Sequence, residues 1–242
     1  MATRNGGRFI QRQISSILPQ LGPDDELIIS DDSSTDETTD IIKRFADPRI
    51  KLLENNTFFS PVLNLENALR QASGDIIVLS DQDDVWLENK VAVIRENLGK
   101  ITTPVALISL DGSVVDEQET VTFDSLFVKI GAGAGLFKNV FNNTYMGCCL
   151  AFRRELLDLA LPFPKHIPMH DMWLGLLAEI HGDVRFVPEK TILYRKHSAS
   201  VTDFRIRFMP VTQIKRRWFL AYYLVKRSIE IRWRKNLLQE EH

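Results

Sequence analysis

Apolar positions along the chain change period repeatedly. From Arg8 to Leu18 they fall at Phe9, Ile10, Ile14, Ile17 and Leu18, the one-face spacing of an amphipathic helix. A short apolar run at 25–30 predicts a strand, a helix follows over 36–46 with Ile41, Ile42 and Phe45 on one face, and a second strand lies at 49–53. The next cycle gives a helix near 61–72 (Val62, Leu65, Leu69), a strand at 75–80 and a helix near 87–99 (Leu87, Val91, Ile94, Leu98). Strands and helices alternating at this interval predict βαβ units and a parallel sheet. The second half is less regular. Strands at 104–110, 147–152, 183–187 and 191–196 and helices near 153–160 and 171–181 suit a mixed sheet, and periodicity is poor over 112–146.

With 242 residues, 44% of them hydrophobic, the chain can bury a large core, and no linker composition divides it before about residue 200. One domain over 1–203 is expected, with a distinct segment over 204–242. The start, Met1 to Phe9, carries Arg4 and Arg8 without a signal-like apolar stretch. The longest membrane-span candidate, Trp218 to Val225, falls well short of the roughly 18 apolar residues needed. A cytoplasmic enzyme is therefore expected. Cys148 and Cys149 are adjacent, which disfavours a mutual disulfide or a metal site and reads as two buried thiols.

Candidate chemistry sits at strand ends. The apolar run Ile76–Leu79 delivers Ser80-Asp81-Gln82-Asp83-Asp84-Val85-Trp86, three carboxylates within four residues. Its apolarity reads as a buried parallel strand, and ligands of open α/β sheets gather beyond the carboxyl ends of strands. Carboxylates are hard ligands for Mg²⁺ or Mn²⁺, which keep open positions for phosphate oxygens. A solvated acidic turn is the alternative. The run Glu26 to Asp32 repeats the arrangement. Ser34 and Glu37 have capping-box spacing, which accounts for the residues after Asp32 but not for Asp31 and Asp32 themselves. An acid placed there in a nucleotide-binding unit hydrogen-bonds a ribose or base.

Taken together, Met1-Ala-Thr-Arg-Asn-Gly6, Ile14 to Leu18, Asp31 to Asp36, Gly74-Asp75, Asp81 to Asp84, Gly147 to Arg154, His170-Asp171 and Tyr194-Arg-Lys-His197 resemble the family 2 glycosyltransferases, in order and in register over roughly residues 1 to 200. Ser-Asp-Gln-Asp-Asp-Val-Trp with a late Tyr-Arg-x-His is most similar to the rhamnosyltransferase-like members that build bacterial surface polysaccharides. The resemblance implies a GT-A fold: a Rossmann-like nucleotide half joined to a mixed-sheet acceptor half. It also implies an apolar first strand before the residues matching Met1 to Asn5. Here that strand is nearly absent: either the chain is truncated or its start mis-assigned, or residues 1 to 4 form a stub of strand that weakens the fold, and loss of the strand would leave unpaired backbone groups in the interior.

The same resemblance implies roles. Asp32 faces a uracil or thymine and Asp31 supports the ribose end, with Ala2 and Arg4 at the base pocket. Asp81 and Asp83 form the Asp-x-Asp pair on a divalent cation bridging the diphosphate, Asp83 the direct ligand, and Asp84 either a partner behind the ligands or a helix cap. His197 ligates the metal or binds the diphosphate, with Arg195 or Lys196 favouring the same anions. Asp171 is the general base of an inverting transfer, the alternative being a plain helix cap. His170 orients the acid or acceptor, and its titration near neutral pH makes it the rival base. Arg153 and Arg154 read as surface charge, and Gly131-Ala-Gly-Ala-Gly135 as a flexible acceptor-side loop lacking a phosphate-loop Lys.

Charge changes sign along the chain. Phe204 to His242 hold ten Lys or Arg against three Asp or Glu, about +7, leaving 20 against 29, about −9, for 1–203. Lys215, Arg216, Arg217, Lys226, Arg227, Arg232, Arg234 and Lys235 interleave with Trp218, Phe219, Tyr222, Tyr223 and Trp233. A basic aromatic helix suits an anionic membrane surface, the alternative being a helix packed back on the body. The acidic body argues against a nucleic-acid partner. The expected function is sugar transfer from a UDP- or dTDP-sugar, dTDP-rhamnose among them, to a lipid-linked glycan at the inner face of the membrane, with Mn²⁺ or Mg²⁺. A catalytically silent nucleotide-sugar binding module and a metal-dependent nucleotidyltransferase are the alternatives.

Overall fold

The computed structural model describes residues 1–197 and 211–240, with side chains described over 1–197 and 217–233. The expected boundary at 203/204 and the side chains of Lys215, Arg216, Arg234 and Lys235 lie outside the described residues.

The first half alternates as expected: β1 (Ala2–Thr3), α1 (Ile10–Ile17), β2 (Leu27–Asp31), α2 (Thr38–Arg44), β3 (Ile50–Leu53), α3 (Pro61–Gln71), β4 (Ile76–Val78), β5 (Val85–Trp86) and α4 (Lys90–Gly99). Next come β6 (Ala106–Val115), β7 (Val121–Phe123), α5 (Leu126–Ile130), α6 (Leu136–Phe141), β8 (Leu150–Arg153), α7 (Arg154–Ala160), α8 (His170–His181), β9 (Asp183–Arg195) and α9 (Val211–Glu240). α1 buries Ile10, Ile14 and Ile17, the stripe its spacing predicts. Ser60 caps α3 by accepting from Leu63 N at 3.4 Å, with Pro61 in the first turn where a missing N–H costs nothing.

Several expectations need correction. α2 has no Ser34–Glu37 box: Ser34 donates to Asp31 Oδ2 instead (2.5 Å), and Asp36 Oδ1 accepts from Thr38 N (3.1 Å). β6 runs five residues past the expected end because its polar stretch is satisfied internally. Asp111 accepts from Ser125 Oγ (2.6 Å) and Phe127 N (3.0 Å), while Gly112 lets Ile192 approach to where a Cβ would sit. The two strands expected at 183–187 and 191–196 are one, β9, with register irregularities opposite Leu110 to Ser113. Arg153 and Arg154 clamp carbonyls rather than decorate the surface: Arg153 holds Leu98, Ile101 and Thr103, and Arg154 holds Ala72 and Gly74.

Two sheets carry these elements. β1, β2 and β3 form a parallel three-stranded sheet, and β4-β8-β6-β9-β5, with β7 on β6, form a mixed one. β4 is therefore not a parallel strand: it pairs antiparallel with β8, through Leu79 N to Leu150 O (3.0 Å) and Arg154 N to Asp75 O (2.9 Å). Backbone groups alternate sides along a strand, so those of Ile76 and Val78 point away from β8, toward β2. On the facing side, β1 covers only the far end of β2, where Ser30 N reaches Met1 O at 2.9 Å. Between the sheets lies an apolar cleft of about 300 Å³ lined by Met1, Ile28, Leu65, Leu69, Ile77 and Leu79, among others. Ile76 borders this cleft and is 38% exposed.

The main core wraps α8, whose residues 170–178 are all buried, against α3, α7 and β8. α9 joins it through Leu220 and Leu224. Both cysteines are free and buried, as read from sequence.

Candidate functional site

Loops at the carboxyl ends of β1 and β2 form one wall. Asp31 is 2% exposed and fully engaged, accepting from Thr3 Oγ1 (3.0 Å), Ser34 N (2.9 Å) and Ser34 Oγ (2.5 Å). Asp32 is equally buried and accepts from Phe58 N (2.7 Å) and Ser60 N (3.2 Å), fixing the loop before α3. Both acids thus hold loops in place. Ala2 pairs with Ser30 beneath them. Arg4 is exposed at the rim, its guanidinium 4.7 Å from the Phe59 ring centroid, while its backbone exchanges bonds with the Gln82 amide (2.9 and 3.2 Å). That exchange links the wall to the next acidic loop.

Asp81, Asp83 and Asp84 follow β4. Gln13, fully buried on α1, donates to Asp81 O (3.0 Å) and Ser80 Oγ (2.8 Å). Asp83 Oδ2 lies 2.8 Å from His197 Nε2, so these two predicted ligands meet although 114 residues apart. Asp84 is not a cap, since α4 starts at Lys90 with Asn89 in the cap position. It is fully buried, Oδ1 accepts from Arg195 N (3.0 Å), and Oδ2 has no hydrogen-bond partner among the described residues. Oxygens of Asp81 and Asp84 and the Cys148 sulfur lie within 4.8 Å of one another. Surrounding protein, then the charges of Asp83 and Asp171, push the Asp81 carboxyl up to about 7, although the residue is exposed. Burial, then Asp83 and Asp81, raises Asp84 as well. The Cys149 contact and burial raise the Cys148 thiol, so it stays protonated and the anionic donors are the carboxylates. Buried Lys90 offsets part of that charge while donating to Cys148 O at 2.8 Å. Crowded carboxylates, an orphaned buried oxygen and a nearby imidazole fit a hard divalent cation.

Arg195 departs from its expected place among phosphate ligands. It is 3% exposed, and its guanidinium is taken up by Asp83 O (2.9 Å), Glu117 O (2.9 Å) and Glu119 Oε1 (3.0 Å). It acts as a clamp that aligns the acidic loop with the turn after β6.

The second half contributes the start of α8. Asp171 lies in the first turn rather than at the cap, which is Met169 with no side-chain bond. Its Oδ1 accepts from Met172 N (2.5 Å) and Asn143 Nδ2 (3.2 Å), yet burial pushes it up to about 6. Its charge is among those that raise the Asp81 carboxyl. His170 is buried with Nδ1 unpartnered among the described residues, and burial pushes it down to about 4, so it does not titrate near neutral pH. A neutral imidazole of that pKa is a weaker base than the neighbouring carboxylate. Gly147 matters here: a Cβ would lie 2.9 Å from His170 Nε2. The Gly131–Gly135 loop is pinned rather than loose, by Glu179 on Gly135 N (2.9 Å) and Asn139 on Gly133 O (3.0 Å). Gln13, Lys90 and Asn143 were missed as site residues. A polar residue on the apolar face of α1 was the signal for Gln13, whereas Asn143 lies in the stretch without periodicity.

Residues 1–159 match the model of the family described as Glycosyl transferase family 2. Over 90% of its length the chain is 27% identical to the Escherichia coli UDP-Glc:alpha-D-GlcNAc-diphosphoundecaprenol beta-1,3-glucosyltransferase WfgD, covering 82% of it. It is 26% identical to the Shigella flexneri dTDP-rhamnosyl transferase RfbG over 90% of the chain and 80% of that protein. Among solved structures, S. aureus TarS 1-349 in complex with UDP aligns with 81% of this chain at TM-score 0.64 and 17% identity, the match spanning 59% of that chain. The mannosyltransferase PcManGT from Pyrobaculum calidifontis, in complex with GDP-Man and Mn²⁺, aligns with 78% at TM-score 0.58 and 21% identity, spanning 53% of that chain.

Proposed function

The chain belongs to glycosyl transferase family 2, has its GT-A fold, and on that premise we propose that it is an inverting glycosyltransferase. It moves a sugar from a UDP- or dTDP-linked donor to a lipid-linked or growing surface glycan, working at the inner membrane face with its basic tail toward the lipid. The observation that carries this reading is the meeting of Asp83 Oδ2 with His197 Nε2 at 2.8 Å, beside Asp81 and the buried Asp84, a set of hard donors gathered after β4.

In this reading Asp31 and Asp32 shape the nucleoside pocket through the loops they hold, with Ala2 beneath and Arg4 over Phe59 at its mouth. Asp83, Asp81 and His197 would hold Mn²⁺ or Mg²⁺, and such an ion would supply positive charge to offset that building up on the departing nucleoside diphosphate. Asp171 accepts the proton of the attacking acceptor hydroxyl. Met172 N and Asn143 fix one of its oxygens, and a pKa near 6 leaves it ionised yet basic at neutral pH. His170, neutral, orients this turn. The attack comes from the face opposite the diphosphate and inverts the anomeric centre.

Thermal unfolding with UDP, dTDP, GDP and ATP, with and without Mn²⁺, tests the donor reading. A ligand at about a hundred times its Kd adds roughly 2.7 kcal/mol, and the Mn²⁺-dependent rise is expected with UDP or dTDP alone. No rise with any nucleotide would refute it. The open seam beside Ile28 favours, as a second reading, a module that binds the donor without turnover. A rise with UDP and Mn²⁺ but no transfer to any glycan acceptor marks that case.

A further inference from the structure

α9 presents two apolar faces. Leu220, Leu224 and Ile231 are buried, and Arg227 fixes the helix by donating to Leu159 O (2.6 Å), Leu161 O (3.0 Å) and Pro162 O (2.8 Å). His181 Nε2 and Ser228 Oγ meet at 3.0 Å on the same side. The helix cannot roll without breaking these contacts. Its opposite side therefore stays outward, and it carries Trp218, Tyr222, Val225, Ile229 and Trp233. At 3.6 residues per turn these five fall within roughly 80° of arc and along about 22 Å of axis, a single stripe. Trp218 is 75% and Trp233 70% exposed, one near each end. Exposed Lys226 and Arg232 flank the stripe on either side, with Glu230 beside Lys226 at 3.9 Å.

Resting on the lipid-linked acceptor reading, we propose that this stripe is a bilayer-contact surface, lying in the headgroup region of an anionic membrane parallel to its plane. An apolar stripe with aromatic ends and basic flanks is what such an interfacial helix requires, its apolar side sinking about 5–10 Å. The tail's surplus of about +7 set against a body of about −9 orients the molecule with α9 toward anionic lipid. No helix among the described residues is long and apolar enough to cross a membrane, so the contact is lateral. The helix also connects to the chemistry: Arg217 reaches Met172 Sδ at 2.6 Å, next in sequence to Asp171. Contact through the stripe thus brings the start of α8 near the surface where a lipid-linked acceptor lies.

Co-sedimentation with vesicles tests this, comparing phosphatidylglycerol-containing vesicles with phosphatidylcholine ones. The full chain is expected to bind the anionic vesicles, less so at high salt, and Trp218→Ser/Trp233→Ser is expected to bind about tenfold more weakly or worse. The same variant keeps its melting temperature and its Mn²⁺-dependent rise with UDP, since both side chains are exposed and away from the donor loops. Those two readouts separate failure of this surface from failure of the transferase reading. Equal binding by variant and wild type, or wild type left in the supernatant, would overturn the proposal. So would a dimer in sedimentation velocity that the double variant dissolves, because the stripe would then belong to a second copy.

Discussion

Replacing Asp171 by Asn separates two consequences of burying a carboxyl at the start of α8. In the folded chain the group titrates near 6, against 3.8 when unperturbed. The difference, 6 − 3.8, or about 2, corresponds to on the order of 3 kcal/mol at about 1.36 kcal/mol per tenfold change in proton affinity. The sign follows from which state holds the proton more tightly, here the folded one, so ionisation costs stability. Below pH 3.8 both states are protonated and Asp171→Asn is expected to match wild type. As pH rises through 3.8 to 6 the wild type falls behind, and above 6 the gap is complete. The amide oxygen still accepts from Met172 N and Asn143, so little else is lost. At roughly 2–4 °C per kcal/mol, the variant should melt about 6–12 °C higher at neutral pH. Transfer should fall by about 10²–10⁴, the usual contribution of a general base. Calorimetry across the acid-to-neutral range and a transfer assay on the same samples read both. A variant no more stable than wild type at neutral pH would refute the buried, ionised carboxyl, and undiminished transfer would remove the base assignment.

Asp83→Ala removes the carboxylate beside His197, and the Mn²⁺-dependent rise in melting temperature with UDP or dTDP should vanish while the ligand-free midpoint barely moves. Arg195→Lys replaces a forked donor serving Asp83, Glu117 and Glu119 with a single ammonium. It should cost about 3–5 kcal/mol in urea unfolding, and a loss below about 1 kcal/mol would show that the guanidinium does not hold those segments together. Ala68→Leu points an isopropyl group into the cleft of about 300 Å³. At about 0.8 kcal/mol per buried methylene it should raise the midpoint, and a fall would mean the cleft cannot accommodate it.

The first half was legible because each element answers to a local signal: the stripe of α1, the apolar run before Asp31, the Ser60-Pro61 start of α3. The family resemblance also picked out Asp83 and His197, which the fold brings to within 2.8 Å of each other. What could not be read depends on contacts distant in sequence. β4 looks like a strand buried on both sides, yet one side meets β8 and the other the cleft. Arg195 and Asp84 carry charges that suggest ligand contact, and only the fold shows one consumed by carbonyls and the other buried with an oxygen to spare. His170 looked like a neutral-pH titrator because desolvation leaves no mark on sequence. The helices α5 and α6 are short and partly exposed, so their periodicity never rose above that of a loop.

The seam between the two sheets bears on how affinity would be tuned. Asp31 and Asp32 ride on the small parallel sheet, and Asp81, Asp83 and Asp84 on the large mixed one. In place of a shared ladder, side-chain bridges such as Gln13 to Ser80 and Arg4 to Gln82 connect the two sets of loops. A donor touching both sets would serve as a crossbar between two plates, and ligand grip and plate alignment would be one quantity seen from two directions. A substitution that stiffens the joint from the far side, with no atom near the nucleotide, should then tighten donor binding, and loosening the joint should weaken it to the same degree.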